Sequence, residues 1–330
     1  GYEMASLPFE IKNVTDEENK LIKKYYKDYN RPFVRFGPEG YLGMAGYADH
    51  AADIYNLEVR SDDIWVTSFP RSGTTWLQEL VYLVNSNLDY QAVRNDNASK
   101  QYAFIEYTTQ EAENKKTPLG ANAPRATFED FRSLPNVPSP RYVKTHLPLY
   151  LLPPKLLDTA KVFYIARDPR DAAVSFHFAH KLFRYFDESV TLKEFWHLFK
   201  NDLIFRTPVF PHIKYAWDAR NHPNLLFLFY EDLKRDIHGS INKVCAFLGK
   251  EYTAEQKDQL AQHLRFDNMK KSSPIMFQNK ENTEKNFFRK GQSGGWLQYF
   301  DEEMQKEANE YIEKHLSNTD MRFPSAFSTE

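Results

Sequence analysis

Cysteine is nearly absent from this 330-residue chain. Cys245 is the only one, so no internal disulfide can form and no cysteine cluster can hold zinc. A disulfide-stapled secreted scaffold is excluded, and a reducing compartment fits. A surplus of one charge is also missing. With 43 Lys+Arg against 45 Asp+Glu the formal net charge is −2, so the global basic field of a nonspecific nucleic-acid binder is lacking and any anion site must be built locally. No apolar run approaches the roughly 18 residues of a membrane span, and residues 1–13 lack the basic-then-apolar pattern of a signal peptide. The expectation is a cytoplasmic protein that engages neither membrane nor nucleic acid, and the glycosylation patterns at Asn13 and Asn97 are read as chance. Internal repeats and low-complexity tracts are absent too. Aromatics, in contrast, are abundant: 26 Phe, 20 Tyr and 5 Trp make 15% of a chain long enough to bury a sizeable core.

Thr15 and Glu18 read as a capping box, after which Leu21, Ile22, Tyr25, Tyr26 and Tyr29 recur on one face of an amphipathic helix. Residues 63–69, 141–145, 161–166 and 224–229 read as strands. The last two, KVFYIA and NLLFLF, are the near-continuous apolar runs expected of strands covered on both faces. Helices are expected at 75–84, 169–180, 192–199, 237–248, 254–264 and 302–316, with Asp168 capping Pro169 and a second capping box at Thr253 and Gln256. Alternating strands and helices predict an α/β fold, a single domain with a central parallel sheet flanked by helices. Two polar stretches, roughly 110–140 and 271–285, are candidate lids.

Residues 63–76, DIWVTSFPRSGTTW, run from an apolar strand through a tight turn into a helix. The free N–H groups of that helix start, with Gly73 permitting close approach, form a P-loop-like phosphate-binding strand-loop-helix. It is not a Walker A loop, because the first Gly is missing and Thr74 stands where the Lys would be, which argues against a P-loop kinase or NTPase. In RYVKTHLP, Lys144 and His146 project from one face of a strand end. Arg167 leaves the strand in YIARDPRDAAVSFH, with Ser175 two turns along the next helix; it could meet a phosphate or pair with Asp168 or Asp171. FFRKGQSGGW sets Arg289 and Lys290 before Gly291 in a Gly-rich loop, either a second phosphate contact or a solvated basic turn. His177 and His180 have ligand-like spacing but no third ligand in view, so no metal is expected.

Together these segments resemble the cytosolic sulfotransferase family from about Gly37 to Trp296, and Tyr230-Glu231-Asp232 fits a further family signature. The resemblance implies a sulfotransferase domain over residues 37–330, with residues 1–36 an N-terminal segment whose helix packs on it. It implies the donor 3'-phosphoadenosine 5'-phosphosulfate (PAPS) and the product adenosine 3',5'-bisphosphate (PAP). Arg71, Ser72, Gly73, Thr74 and Thr75 would hold the 5'-phosphate, and Arg167, Ser175, Arg289, Lys290 and Gly291 the 3'-phosphate. Trp76 and Phe266 would sandwich the adenine beside Tyr230, with Met269 and Phe288 completing the set. His146 would be the general base, with Lys144 and Arg71 stabilising the transferring group and the leaving oxygen. The implied role is xenobiotic, hormone or retinoid metabolism.

Three departures from the family pattern stand out. Arg71 replaces the usual Lys, Leu264 and Arg265 replace a Thr-Ser pair, and Leu297, Asp301, Glu302 and Lys306 do not match the family's dimer motif, which leaves the oligomer open. The Arg in the donor loop, ARDPRD and LFLFYED resemble the retinol dehydratase-like sulfotransferases, which remove water by way of a sulfated alcohol. Tyr102, Phe104, Phe176, Phe178, Phe183 and Phe186, together with Tyr185, are the candidate lining for a small apolar alcohol or phenol.

Overall fold

The run KVFYIA becomes a strand whose alternate residues enter two different cores. Val162, Tyr164 and Ala166 join one apolar cluster, and Phe163 and Ile165 the other, so the sheet is covered on both faces. The computed structural model describes residues 7–112, 129–265 and 294–324.

In chain order the elements are β1 (Ile11–Asn13), α1 (Asp16–Tyr25), β2 (Val34–Phe36), β3 (Tyr41–Gly43), α2 (Ala45–Tyr55), β4 (Ile64–Thr67), α3 (Thr74–Asn85), β5 (Tyr102–Phe104), β6 (Tyr142–Thr145), α4 (Leu156–Thr159) and β7 (Lys161–Ala166). There follow α5 (Pro169–Leu182), α6 (Leu192–Lys200), α7 (Val209–Asp218), β8 (Leu225–Phe229), α8 (Tyr230–Arg235), α9 (Ile237–Leu248), α10 (Ala254–Leu264) and α11 (Glu302–Leu316). The central sheet has five parallel strands in the order β5-β6-β4-β7-β8, the expected α/β architecture. Leu77, Leu80, Val244 and Leu260 cover one face, from α3, α9 and α10; Phe176, Phe195, Phe199 and Ile213 cover the other, from α5, α6 and α7. Because β4 has later strands on both sides, the carboxyl ends of β6, β4 and β7 open a crevice where such sheets bind ligands.

Among the described residues capping boxes form at Thr15 with Glu18, Thr191 with Glu194 and Thr253 with Gln256; a cap of this kind contributes about 1 kcal/mol. Asp168 caps α5 by accepting from the Arg170 N–H, with Pro169 at the first helical position. The amino ends of β4 and β6 are locked by a buried ion pair, Arg141 Nη2 to Asp63 Oδ2 at 2.6 Å, in which loss of one partner would cost about 3–5 kcal/mol.

Two expectations need correction. Leu21 is 39% exposed, and α1 stops at Tyr25, so Tyr26 and Tyr29 are buried from the segment beyond it rather than from one helical face. The small antiparallel sheet β1-β2-β3, the edge strand β5 of the central sheet and helices α2, α4, α7 and α8 were not anticipated; the small sheet joins residues 11–13 to 34–43, across position 36. The N-terminal segment packs on the rest through Tyr25 OH to Glu194 Oε2, 2.8 Å, and Tyr26 OH to His180 Nε2, 2.8 Å. Most of the two lid stretches lies outside the described residues.

Candidate active site

Strand register puts the chemistry in one place. Thr67 of β4 pairs with Thr145 of β6, so the next residues, Ser68 and His146, are neighbours at the carboxyl edge. Phe104 of β5 pairs with Lys144, whose Nζ lies 4.4 Å from the Phe104 ring centroid; that ring also meets the His146 ring edge-on at 5.5 Å. Within Tyr142–Thr145 and the following His146, only Lys144 and His146 are partly exposed, so both face the crevice.

The His146 imidazole has Nδ1 3.0 Å from the Ser68 carbonyl oxygen and 3.4 Å from the Ser68 hydroxyl. The carbonyl is nearer and can only accept, so Nδ1 carries the proton and Nε2 the lone pair. Burial first, then the Lys144 and Arg206 charges, hold this imidazole well below its usual pKa, against the opposing pull of the Ser68 carbonyl. Burial likewise brings the Lys144 ammonium down to about 8, with the nearby Glu106 carboxylate working the other way.

The main chain of His146 is held from both sides by residues the sequence did not single out. Its N–H donates to Glu106 Oε2 at 2.9 Å, and its carbonyl accepts from His212 Nε2 at 2.8 Å. Burial lowers His212 to about 4, so it is neutral; with Nε2 donating, Nδ1 accepts from Tyr164 OH at 2.6 Å. Glu106 is in turn paired with Arg206 Nη1 at 2.9 Å in a contact buried on both sides. Arg206 Nη2 continues to Gln110 Oε1 at 2.9 Å.

The loop after β4 has the cradle shape read from the sequence. Gly73 is left-handed, with φ 91°, and a Cβ there would run into the Tyr230 ring, so glycine is required on both counts. Ser72, Thr74 and Trp76 are buried, while Arg71, Gly73 and Thr75 are partly exposed. Thr74 Oγ1 is hydrogen-bonded to Ser68 Oγ, which ties the helix start to the strand carrying the His146 contact. Arg71, itself at φ 65°, donates from Nε to Ser175 Oγ at 2.9 Å, and its carbonyl accepts from Arg167 Nη1 at 3.0 Å. The Arg167 guanidinium lies 4.5 Å from the Tyr230 ring centroid. Burial first, then repulsion from Arg167, lower Arg71 to about 9, so two cations share a desolvated corner that an anionic group would relieve.

The two carboxylates weighed as partners for Arg167 each have further contacts, and Asp171 remains under the influence of the Arg167 charge. Asp168 pairs with Arg170 Nη2 at 2.6 Å, and Asp171 accepts the Gly294 and Trp296 N–H groups at 2.7 and 3.0 Å. Asp171 thereby anchors the far end of the expected RKG loop. Phe266, Met269, Phe288, Arg289, Lys290 and Gly291 lie outside the described residues. Trp76 donates from its indole to the Leu264 carbonyl, two positions before Phe266, and meets Tyr230 at 6.0 Å between ring centroids.

The expected acceptor aromatics do not gather as one lining. Phe104 is at the strand end, but Tyr102 is buried against α3 with its OH on the Gln78 carbonyl at 2.8 Å. Phe176 and Phe186 pack around His180, at 4.4 and 4.7 Å, in an aromatic cluster with Phe205. Phe183 sits at its margin, 6.3 Å from Tyr185, whereas Phe178 turns to Tyr299 at 6.4 Å. His180 donates from Nδ1 to Phe176 O, and His177 from Nε2 to Val190 O. Among the described residues no cluster of three His, Cys, Asp or Glu could hold a metal ion, and no helix is long and apolar enough to cross a membrane.

A family model described as "Sulfotransferase domain" matches residues 61–320. Luciferin sulfotransferase of Photinus pyralis is 30% identical, over 96% of this chain and 87% of its own. Sulfotransferase 1 family member D1 of Mus musculus is 30% identical, over 84% of this chain and 91% of its own. The solved structure of retinol dehydratase in a complex with retinol and PAP superposes with a TM-score of 0.84 at 36% identity, covering 96% of this chain and 99% of that one.

Proposed function

The chain belongs to the sulfotransferase family and is a PAPS-dependent sulfotransferase, and from that premise we propose that it sulfates the hydroxyl of a small apolar alcohol or phenol with His146 as general base. The observation that carries the proposal is the His146 ring, fixed through Nδ1 on the Ser68 carbonyl with Nε2 left as the basic nitrogen in a partly open crevice.

The Gly73 cradle and the paired Arg71 and Arg167 suit a doubly phosphorylated donor. Arg71, Ser72, Gly73, Thr74 and Thr75 would hold its 5'-phosphate, Arg167 and Ser175 its 3'-phosphate, and Trp76 and Tyr230 its adenine. When bound, it supplies the sulfuryl group. As the acceptor oxygen forms its bond to sulfur in line with the breaking bridge bond, His146 Nε2 takes the hydroxyl proton. Lys144 offers a cation to the equatorial oxygens, and Arg71 donates hydrogen bonds to the leaving oxygen. Fixed side chains fill the role that Mg²⁺ fills in nucleotide chemistry, so no metal is required.

A second reading has one observation in its favour, the 36% identity to retinol dehydratase along nearly the whole chain. In it the sulfated alcohol eliminates rather than leaves. Incubation with radiolabelled PAPS and a panel of phenols, sterols and retinoid alcohols, followed by product mass, tests both: a sulfate ester supports the first reading, a dehydrated product the second, and no labelled or dehydrated product sinks both.

A further inference from the structure

A phenol and an imidazole that the transfer chemistry does not use are buried together beside His146. Tyr164 of β7 and His212 of α7 are both closed off from solvent, among aromatic rings: Tyr164 stacks on Phe227 at 5.4 Å, and His212 meets Phe69 edge-on at 5.7 Å. Burying two polar rings costs free energy unless their hydrogen bonds are made. Phenylalanine at either place would fill much the same volume without that cost.

Their hydrogen bonds run in one direction. The His146 carbonyl can only accept, so His212 Nε2 donates to it at 2.8 Å; Nδ1 is then the acceptor, and Tyr164 OH donates to it at 2.6 Å. Burial holds the phenol well above its usual pKa and brings the imidazole down to about 4, so the run from Tyr164 through His212 to His146 keeps this sense across neutral pH. It ends on the residue read as the base. Three hydrogen bonds fix His146: its N–H to Glu106, its Nδ1 to the Ser68 carbonyl, and its own carbonyl to His212. His212 supports two of these, because the Phe69 ring it touches belongs to the residue after Ser68. Proton removal needs Nε2 about 3 Å from the acceptor hydroxyl, and a misplacement of about 1 Å can cost about 10²-fold.

We propose that Tyr164 and His212 are positioning residues for the transfer, a neutral hydrogen-bonded unit that holds the His146 carbonyl and so sets the reach of Nε2 towards the acceptor hydroxyl. The proposal rests on the reading of His146 as the base. Glu106 supports the same residue from its N–H, but it also carries the buried Arg206 ion pair, whose loss would disturb a charge. The neutral pair can be removed without that complication.

The test is a double-mutant cycle with labelled PAPS and the phenol, sterol or retinoid alcohol of the panel that turns over, each variant being checked for its thermal shift with PAP. His212→Phe can pack on Phe69 but cannot donate; kcat should fall about 10- to 100-fold, with KM for both substrates and the PAP shift close to wild type. His212→Gln, whose amide can donate in place of Nε2, should recover most of the loss. Tyr164→Phe, which leaves Nδ1 unpaired, should lose less than His212→Phe. Added to His146→Ala, His212→Phe should cost almost nothing more, because the base it positions is gone. An unchanged kcat in His212→Phe overturns the proposal. So does a loss that Gln does not restore, or one that multiplies with that of His146→Ala, because the pair would then serve the core alone. Should His212→Phe fail to fold, Tyr164→Phe takes its place in the cycle: a loss confined to the background that retains His146 supports the proposal, and any other result overturns it. If His146→Ala itself keeps full turnover, the base reading fails and the positioning role goes with it.

Discussion

His146 Nδ1 and the Ser68 carbonyl oxygen, 3.0 Å apart, set which nitrogen of the imidazole is the base. The contact exists because β4 and β6 pair in register through Thr67 and Thr145, so the tautomer is fixed by the sheet and not by a neighbouring carboxylate.

A pH profile follows. His146 is held well below its usual pKa, so it is already the free base at neutral pH, and kcat/KM should show no acid limb near the ordinary histidine value. Lys144 is charged below about 8 and loses its charge above, so the profile should fall on the alkaline side there. An acid limb centred near 6.5, the ordinary histidine value, would show that His146 is not depressed.

Arg71 is expected to act by charge and hydrogen bonding rather than by giving up a proton, because even its lowered pKa of about 9 leaves it charged at neutral pH. Arg71→Lys should therefore keep kcat within roughly tenfold, whereas Arg71→Ala should lose about 10²–10³. Steady-state kinetics with saturating donor checks this, and a fully active alanine variant would contradict it.

Glu231 offers a stability test. Its Oε1 accepts the Asp168 N–H at 2.7 Å, its Oε2 has no partner among the described residues, and burial raises its pKa from 4.5 to about 8. The folded state thus prefers the protonated form, and the stability this gives is fully present below 4.5 and lost as pH rises through about 8. Thermal melts across that window should show Glu231→Gln losing less Tm than the wild type. Parallel curves would rule out a buried, titrating Glu231.

Much of the site was legible because its signals are local. The turn and helix start at 71–76, the Asp168–Pro169 cap and the strands KVFYIA and YVKT are each written in consecutive residues, and all are found. The partners of His146 were not legible. Glu106 and His212 lie far from it in sequence and reach it only through the fold, Glu106 just after β5 and His212 on α7. Helix α7 was itself missed: Pro208 stands at its cap and Pro211 in its first turn, so no capping side chain marks its start. The acceptor aromatics show how little spacing in sequence says about neighbours in space. Phe176 and Phe178 lie two residues apart and so point to different neighbours on α5, and Tyr102 and Phe104 share a strand face yet only Phe104 reaches the strand end.

The most direct test of sulfuryl transfer with His146 as base is the turnover of labelled PAPS by His146→Ala, measured beside the thermal shift each protein shows with PAP. The account predicts equal stabilisation of both proteins by PAP and turnover lowered about 10²–10⁴ in the variant. Undiminished turnover in a variant that binds PAP normally would contradict it.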